Sequence, residues 1–315
     1  MTLTQLHYVI AISETGSFVD AADKTGVTQP ALTTQVKNLE GELDTVIFDR
    51  TKKPVVPTEI GHRVIDQARK IIHESKVISD LVNEHRNILE GTLKLGIIPT
   101  VSPYLLPHFI HRFTKAYPDI HLHVKEMITE DIVDSLKNGS LDAGIIATPI
   151  EAGNIRSMPL YYEKFFGYVS QEHPLFFKNH LTPSDLNQSD LWLLKEGNCF
   201  RDQVVNICAE AENDKSKSGF KYESHSIEAL MRVVEMKNGV TLIPELAAKN
   251  LTGKKKEMIR EIPELNPVRE ISIVVRKQYL KKRFVERLRK NIISNMPESM
   301  TDKPHGILID PNVKL

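Results

Sequence analysis

The chain has 315 residues, 41% apolar and 26% charged, with 41 Lys and Arg balancing 41 Asp and Glu. That is the composition of two or three soluble globular domains, and the balanced charge offers no bulk argument for nucleic acid. No apolar run approaches the roughly 20 residues of a membrane span, and the N-terminus MTLTQLHYVI lacks the basic start of a signal peptide, so a cytoplasmic protein with reduced thiols is expected.

Leu6, Val9 and Ile10 share one helical face, Gly16-Ser17 interrupts it, and Phe18 to Lys24 resumes it. Gly26-Val27 reads as a tight turn, Thr28 as an N-cap and Pro30 as a first-turn residue. The next helix carries an apolar stripe of Leu32, Val36, Leu39 and Leu43. Thr33, Thr34 and Lys37 lie off it, with Gln29 and Gln35 nearby. Helix, glycine-containing turn and second helix with a hydrogen-bonding outer face describe a helix-turn-helix. A three-helix packing unit with a merely solvated polar face fits the same pattern. The first sixty residues carry five Lys and Arg against eight Asp and Glu, a net of minus three, so a DNA reading rests on pattern rather than charge.

After "FDRTKKPVVPT", a loop bearing Arg50, Lys52 and Lys53, a long helix starts near Thr58. Val64, Ala68, Ile71, Ser75, Ile78, Val82, His85 and Leu89 alternate spacings of four and three, a coiled-coil seam. At 1.5 Å per residue the helix is about 45 Å long, and pairing with a second copy is expected to bury the seam. From Gly91, "LKLGIIPT" reads as a strand, Pro103 to Tyr117 as a helix and "IHLHVKEM" as a strand. "TEDIVDSLKNG" follows as a helix and "LDAGIIAT" as a strand. This alternation predicts a parallel sheet with crossover helices. A second set comprises "FFGYVS", a helix around the cysteines, Ser226 to Lys237 and "GVTLIP". "REISIVVR" and a helix from about Gln278 return to the first set. Two such subdomains would leave a ligand cleft between them. The tail from about Pro297 has little periodicity and is expected to be mobile.

No Walker-type, GxSxG, GxGxxG or HExxH motif occurs. His121 and His123 share a strand face without further ligands in view, and Lys254-Lys255-Lys256 reads as a solvated loop. No metal, no cofactor and no enzymatic activity is expected. Both cysteines lie in "GNCFRDQVVNIC", either as two small buried hydrophobes or as a redox pair. Gly197-Asn198 can initiate a helix. That would put Cys199 in the first turn, where the dipole favours thiolate, with Arg201 adding positive charge. Cys208, beside Val204, Val205 and Ile207, reads as packed. In one helix, nine residues separate the two Cα atoms by about 13 Å, whereas a disulfide needs roughly 4.4–6.8 Å.

The stretch "FVDAADKTGVTQPALTTQVKNLEGELDTVIFDR" resembles the winged helix-turn-helix of the LysR-type transcriptional regulators, and the similarity runs to about residue 296. The resemblance implies an N-terminal all-α winged helix-turn-helix, residues 1–58, and a linker helix, 59–90, that joins a homodimer. A C-terminal α/β regulatory domain, 91–300, would hold two Rossmann-like subdomains as in periplasmic binding proteins. Subdomain I would take about 91–162 and 268–300, subdomain II about 163–267, with a flexible tail at 301–315. The implied partner is double-stranded DNA at two-fold operators. Thr28, Gln29, Pro30, Thr33, Thr34 and Lys37 would face the major groove, and Arg50, Lys52 and Lys53 would form a wing on the backbone. A tetramer and contact with RNA polymerase are further implications. The acidic head would lean on base contacts for affinity.

Within that family, "LKLGIIPTVSPYLLP" and "EGNCFRDQVVNIC" resemble the hydrogen-peroxide-sensing branch, whereas most members sense metabolites. This implies that peroxide oxidises Cys199, that Cys208 resolves it as a disulfide, and that Thr100, Thr129, Asn198, Arg201, Asp202 and Arg269 surround the peroxide. Asn198 and Lys125 stand where relatives carry histidine, which removes any imidazole role there. Two other readings stay open: a metabolite-binding regulator with incidental cysteines, and a thiol peroxidase, for which a DNA-reading head would be needless.

Overall fold

A computed structural model describes residues 1–85, 90–188, 191–208, 222–279, 281–303 and 305–311. It divides into two compact units, one on residues 1–88 with 137–140 and the other on residues 89–136 and 141–315.

The first unit runs α1 (Leu3–Thr15), α2 (Phe18–Thr25), α3 (Gln29–Glu42), β1 (Phe48–Asp49), β2 (Val56–Pro57) and α4 (Glu59–His85). Side-chain caps start its helices: Thr2 with Gln5 in a capping box on α1, Ser17 on α2 and Thr28 on α3. Gly16 ends α1 at φ 66°, and a Cβ there would strike Pro54 at 2.8 Å, so glycine serves both the left-handed cap and the close approach. Leu32, Val36 and Leu39 are buried with Leu6, Val9, Ile12 and Phe48. The expected stripe stops one residue short, because α3 ends at Glu42 and Leu43 is its exposed C-cap. β1 and β2 pair antiparallel, Phe48 with Pro57 and Asp49 with Val56, and form the wing.

The expected seam on α4 divides into two parts. Ile65, Ala68 and Ile72 join the core of this unit, with Val64 and Ile71 at its margin, because α1 needs a covering layer and α4 supplies it. Only the later positions remain open: Ile78 is 67% and Val82 45% exposed. The side chain of His85 and all of Leu89 lie outside the described residues.

The second unit begins β3 (Gly91–Ile97), α5 (Ser102–Ala116), β4 (Ile120–Glu126), α6 (Thr129–Lys137), β5 (Ala143–Thr148) and β6 (Ile155–Val169). It continues α7 (Pro183–Gln188), α8 (Cys199–Ile207), α9 (Ile227–Lys237), β7 (Val240–Pro244) and α10 (Glu245–Lys249). β8 (Ile259–Arg260), β9 (Pro267–Arg276), α11 (Lys282–Ser294), α12 (Glu298–Thr301) and β10 (Ile307–Leu308) complete it. The strand order is β4-β3-β5-β9-β6-β7, with β10 beside β9 and β8 beside β6. The expected parallel pairing holds for β3 with β4 and β5. It fails at three junctions: β5–β9, β9–β6 and β6–β7 are antiparallel. The chain leaves the first strand set along β6 and returns along β9, and two oppositely directed crossings side by side must pair antiparallel. Their ladder runs from Ile155–Arg276 to Lys164–Val268, with an irregularity at Pro159–Tyr161. The expected subdomain boundary at 162/163 falls within this ladder and the one at 267/268 at its end.

Within the tail, the described residues include a strand that the sequence did not predict. β10 pairs parallel with Pro267 and Val268, and the Ile309 amide donates to Val268 O at 2.8 Å. β5 pairs with β9 only from Glu270 onward, so the backbone groups at the start of β9 are free to take a strand whose sequence shows no apolar period. Among the described residues no helix is long and apolar enough to cross a membrane.

Candidate functional site

Gly197, at φ 79°, turns the chain into α8. Asn198 caps the helix, its side-chain oxygen accepting from the Phe200 amide at 3.0 Å, so Cys199 is the first helical residue. Cys208 is the C-cap, its amide donating to Val204 O at 3.1 Å. Both thiols are free and buried, at opposite ends of one intact helix. Phe200 stacks on Phe165 with ring centroids 5.2 Å apart, and the Arg269 guanidinium lies 4.9 Å from the Phe200 ring centre.

Thr129, the first residue of α6, directs its hydroxyl to Cys199 Sγ at 3.6 Å. Arg269, fully buried on β9, donates from Nη1 to Thr100 Oγ1 and from Nη2 to Thr100 O, each at 3.2 Å. Its Nε and Nη2 also donate to Glu163 Oε1 at 2.9 and 2.7 Å. Thr100, Thr129, Asn198, Cys199 and Arg269 are thus buried around one helix start. Glu163 is an addition that the motifs did not single out. Its one legible trace was an acid inside the apolar run "LYYEKFF". Arg201 turns elsewhere, donating to Leu194 O at 3.4 Å and Glu196 Oε1 at 3.5 Å. The positive charge expected from Arg201 comes instead from Arg269, which favours the Cys199 thiolate.

The electrostatics reverse one expectation. Burial pushes the Cys199 thiol above its ordinary value, and the Thr129 hydrogen bond, the Arg269 charge and the Phe200 amide only partly offset that, while Asp202 adds to it. Desolvation therefore outweighs the helix start. Asp202 is itself raised by burial, against the pull of Arg201, with Glu130 and Glu196 adding to the rise. Burial alone pushes Cys208 up to about 12.

In the first unit, Thr28, Gln29, Pro30, Thr34 and Lys37 are exposed on α3 and Thr33 is half-buried. The Thr34 hydroxyl donates to Pro30 O at 2.8 Å, which leaves its lone pairs outward. Lys52 and Lys53 are exposed at the wing tip. Arg50 is engaged by Glu40 at 2.6 Å and lies over the Phe18 ring. Glu40 also accepts from the Ile47 and Phe48 amides at 2.8 and 3.3 Å and so ties the wing to α3.

A winged helix-turn-helix followed by an α/β unit with a buried polar site defines a class of transcription regulator. Residues 3–62 match the bacterial regulatory helix-turn-helix proteins of the lysR family, and residues 86–296 match the LysR substrate binding domain. The chain belongs to the LysR family. Within it, the chain is 34% identical over 278 residues to the hydrogen peroxide-inducible genes activator of Haemophilus influenzae, covering 88% of this chain and 91% of that one. It is 32% identical over 278 residues to the DNA-binding transcriptional dual regulator OxyR of Escherichia coli K12, covering 88% and 90%. A solved full-length OxyR variant from Pseudomonas aeruginosa superposes with a TM-score of 0.76 at 32% identity, covering 93% of this chain and 98% of that one.

Proposed function

We propose that this regulator senses hydrogen peroxide and controls oxidative-stress genes through a reversible Cys199–Cys208 disulfide. The surroundings of Cys199 carry the reading: its sulfur meets the Thr129 hydroxyl near buried Arg269, with the second cysteine at the far end of the same helix. The Cys199 thiolate attacks one peroxide oxygen and the O–O bond breaks. The departing hydroxide takes a proton to become water, and Cys199 is left as sulfenic acid. The Cys208 thiolate then attacks that sulfur and expels the second oxygen as water. Two thiols thus supply the two electrons that reduce one peroxide, and a cellular dithiol or glutathione-type reductant resets the pair.

α8 holds the two Cα atoms about 13 Å apart, against roughly 4.4–6.8 Å in a disulfide, so closure unwinds the helix. That rearrangement alters packing between subunits and hence the spacing of the DNA-binding heads. Thr28, Gln29, Pro30, Thr33, Thr34 and Lys37 face the major groove while Lys52 and Lys53 meet the backbone; Arg50 supports the wing from its Glu40 pairing. Exposed Ile78 and Val82 favour a homodimer through α4, from which a tetramer and contact with RNA polymerase follow by family likeness, in the cytoplasm.

The substrate-binding-domain match favours one rival, a regulator that binds a metabolite. Free thiols titrated after substoichiometric peroxide decide between them. Prompt loss of two thiols that persists without reductant supports the sensor, and unchanged thiols would support the metabolite reader. Sustained peroxide consumption with added reductant would indicate a peroxidase.

A further inference from the structure

A buried ion pair stands beside the thiol, and the chemistry above leaves one of its members unused. Glu163 on β6 and Arg269 on β9 are directly opposite in the ladder where the chain crosses between the two strand sets. Their side chains are 1% and 0% exposed, so neither charge reaches water. Glu163 Oε1 receives Arg269 Nε and Nη2, and Oε2 receives the Leu246 amide at 3.2 Å. Both oxygens face donors. Burial, with Glu245 adding to it, pushes the carboxyl above its ordinary range against the pull of Arg269 and the Leu246 amide; the donors on both oxygens are those of a charge-assisted pair with an ionised carboxylate.

We propose that Glu163 is a positioning residue that sets the peroxide threshold: it holds Arg269 as the counter-ion of a carboxylate and so keeps Arg269 from becoming the counter-ion of the Cys199 sulfur. This rests on the peroxide reading above. A guanidinium stays charged inside a protein and is costly without a partner. Deleting the carboxylate therefore leaves Arg269 to recruit a neighbouring acid. Arg269 lies 4.9 Å from the ring centre of Phe200, the residue next to Cys199, and the acids that share its field are Cys199 on α8, Tyr104 on α5 and Tyr161 on β6. Asp202 of α8, Glu228 of α9 and Glu245 of α10 are the other charges around the cluster. Phenols ordinarily ionise near 10 and thiols near 8.5; burial raises all three, so the tyrosines start from the higher value. Cys199 is the acid that yields first.

The test uses the full chain with Cys208→Ser, which leaves one thiol because the protein has two cysteines. Thiolate is followed by its ultraviolet absorbance across pH, and the rate of thiol loss with hydrogen peroxide is measured at neutral pH. Glu163→Gln keeps the volume and one acceptor oxygen but removes the charge, and it should titrate at lower pH than its parent. Each unit of that shift raises the thiolate about tenfold and lowers its nucleophilicity by about threefold, so peroxide should react about threefold faster per unit. A folded Glu163→Gln protein that titrates with its parent overturns the proposal, since a merely structural role would change stability and leave the midpoint in place. If Glu163→Gln does not fold, Glu163→Asp, which keeps the charge but withdraws it by one methylene, should lower the midpoint by less. A midpoint equal to the parent's overturns the proposal there too. A parent thiol that ignores peroxide while these shifts appear would remove the peroxide reading alone, because the titration needs no peroxide.

Discussion

Val205, the seventh of the nine residues of α8, is half-buried, and replacing it by alanine or by glycine measures whether the helix opens before the disulfide closes. Both variants lose nearly the same side chain, so the packing loss cancels in their comparison. They differ in backbone propensity, with glycine about 0.8–1.0 kcal/mol less favourable than alanine in a helix interior. Closure must bring the two Cα atoms together by about 6–9 Å, from roughly 13 Å in the helix to disulfide range. If the opened fraction governs capture, closure in the glycine variant should exceed that in the alanine variant about four- to fivefold, since about 1.4 kcal/mol is a factor of ten. Rapid mixing with peroxide, quenching with a sulfenic-acid trap and mass spectrometry separates the two steps: trapped Cys199 reports the first, disulfide the second. The same substitutions in the Cys208→Ser background should leave the first step at the parent rate. Equal closure rates in the two variants would refute opening before capture, and so would an oxidised structure with α8 intact between the cysteines.

In the head, Thr34→Ala should weaken binding to the specific operator by about 1–3 kcal/mol if its outward lone pairs meet a base edge. Lys52→Ala should weaken every sequence alike and flatten the salt dependence; anisotropy titrations at several salt concentrations distinguish the two, and parent-like binding by both would remove the groove assignment. Ile78→Asp with Val82→Asp places charges on the open part of α4 and should give monomers by sedimentation, whereas an unchanged mass would eliminate α4 pairing. Truncation after Asp302 removes β10 and two contacts to α8, Gln203 Nε2 to Ile309 O at 2.8 Å and Asn206 Nδ2 to Asp310 O at 3.0 Å. With each hydrogen bond contributing about 0.5–1.5 kcal/mol, α8 amides should exchange faster and disulfide closure should quicken. Unchanged exchange would show that the tail does not restrain the helix.

Short-range chemistry was legible in the sequence by itself. Thr28, Pro30 and the Leu32–Val36–Leu39 stripe determine α3, and Gly197-Asn198 determines that α8 starts at Cys199, because caps and helical periodicity act over a few residues. The separation of the cysteines along α8 follows from the same local rules. Partners remote in the chain were decided only by tertiary structure. Glu163 and Arg269 are 106 residues apart in sequence and meet through the β6–β9 register. That meeting places a carboxylate-bound Arg269, rather than Arg201, as the cation near Cys199, and full burial raises the Cys199 thiol where a helix start alone would lower it. Arg50 likewise answers to Glu40 across the fold rather than to its basic neighbours. The early part of the α4 seam is covered by its own head, and the tail becomes a strand because β5 leaves the start of β9 unpaired. A backbone group or a buried charge takes the partner that folding brings within reach, and a local sequence window does not contain that partner.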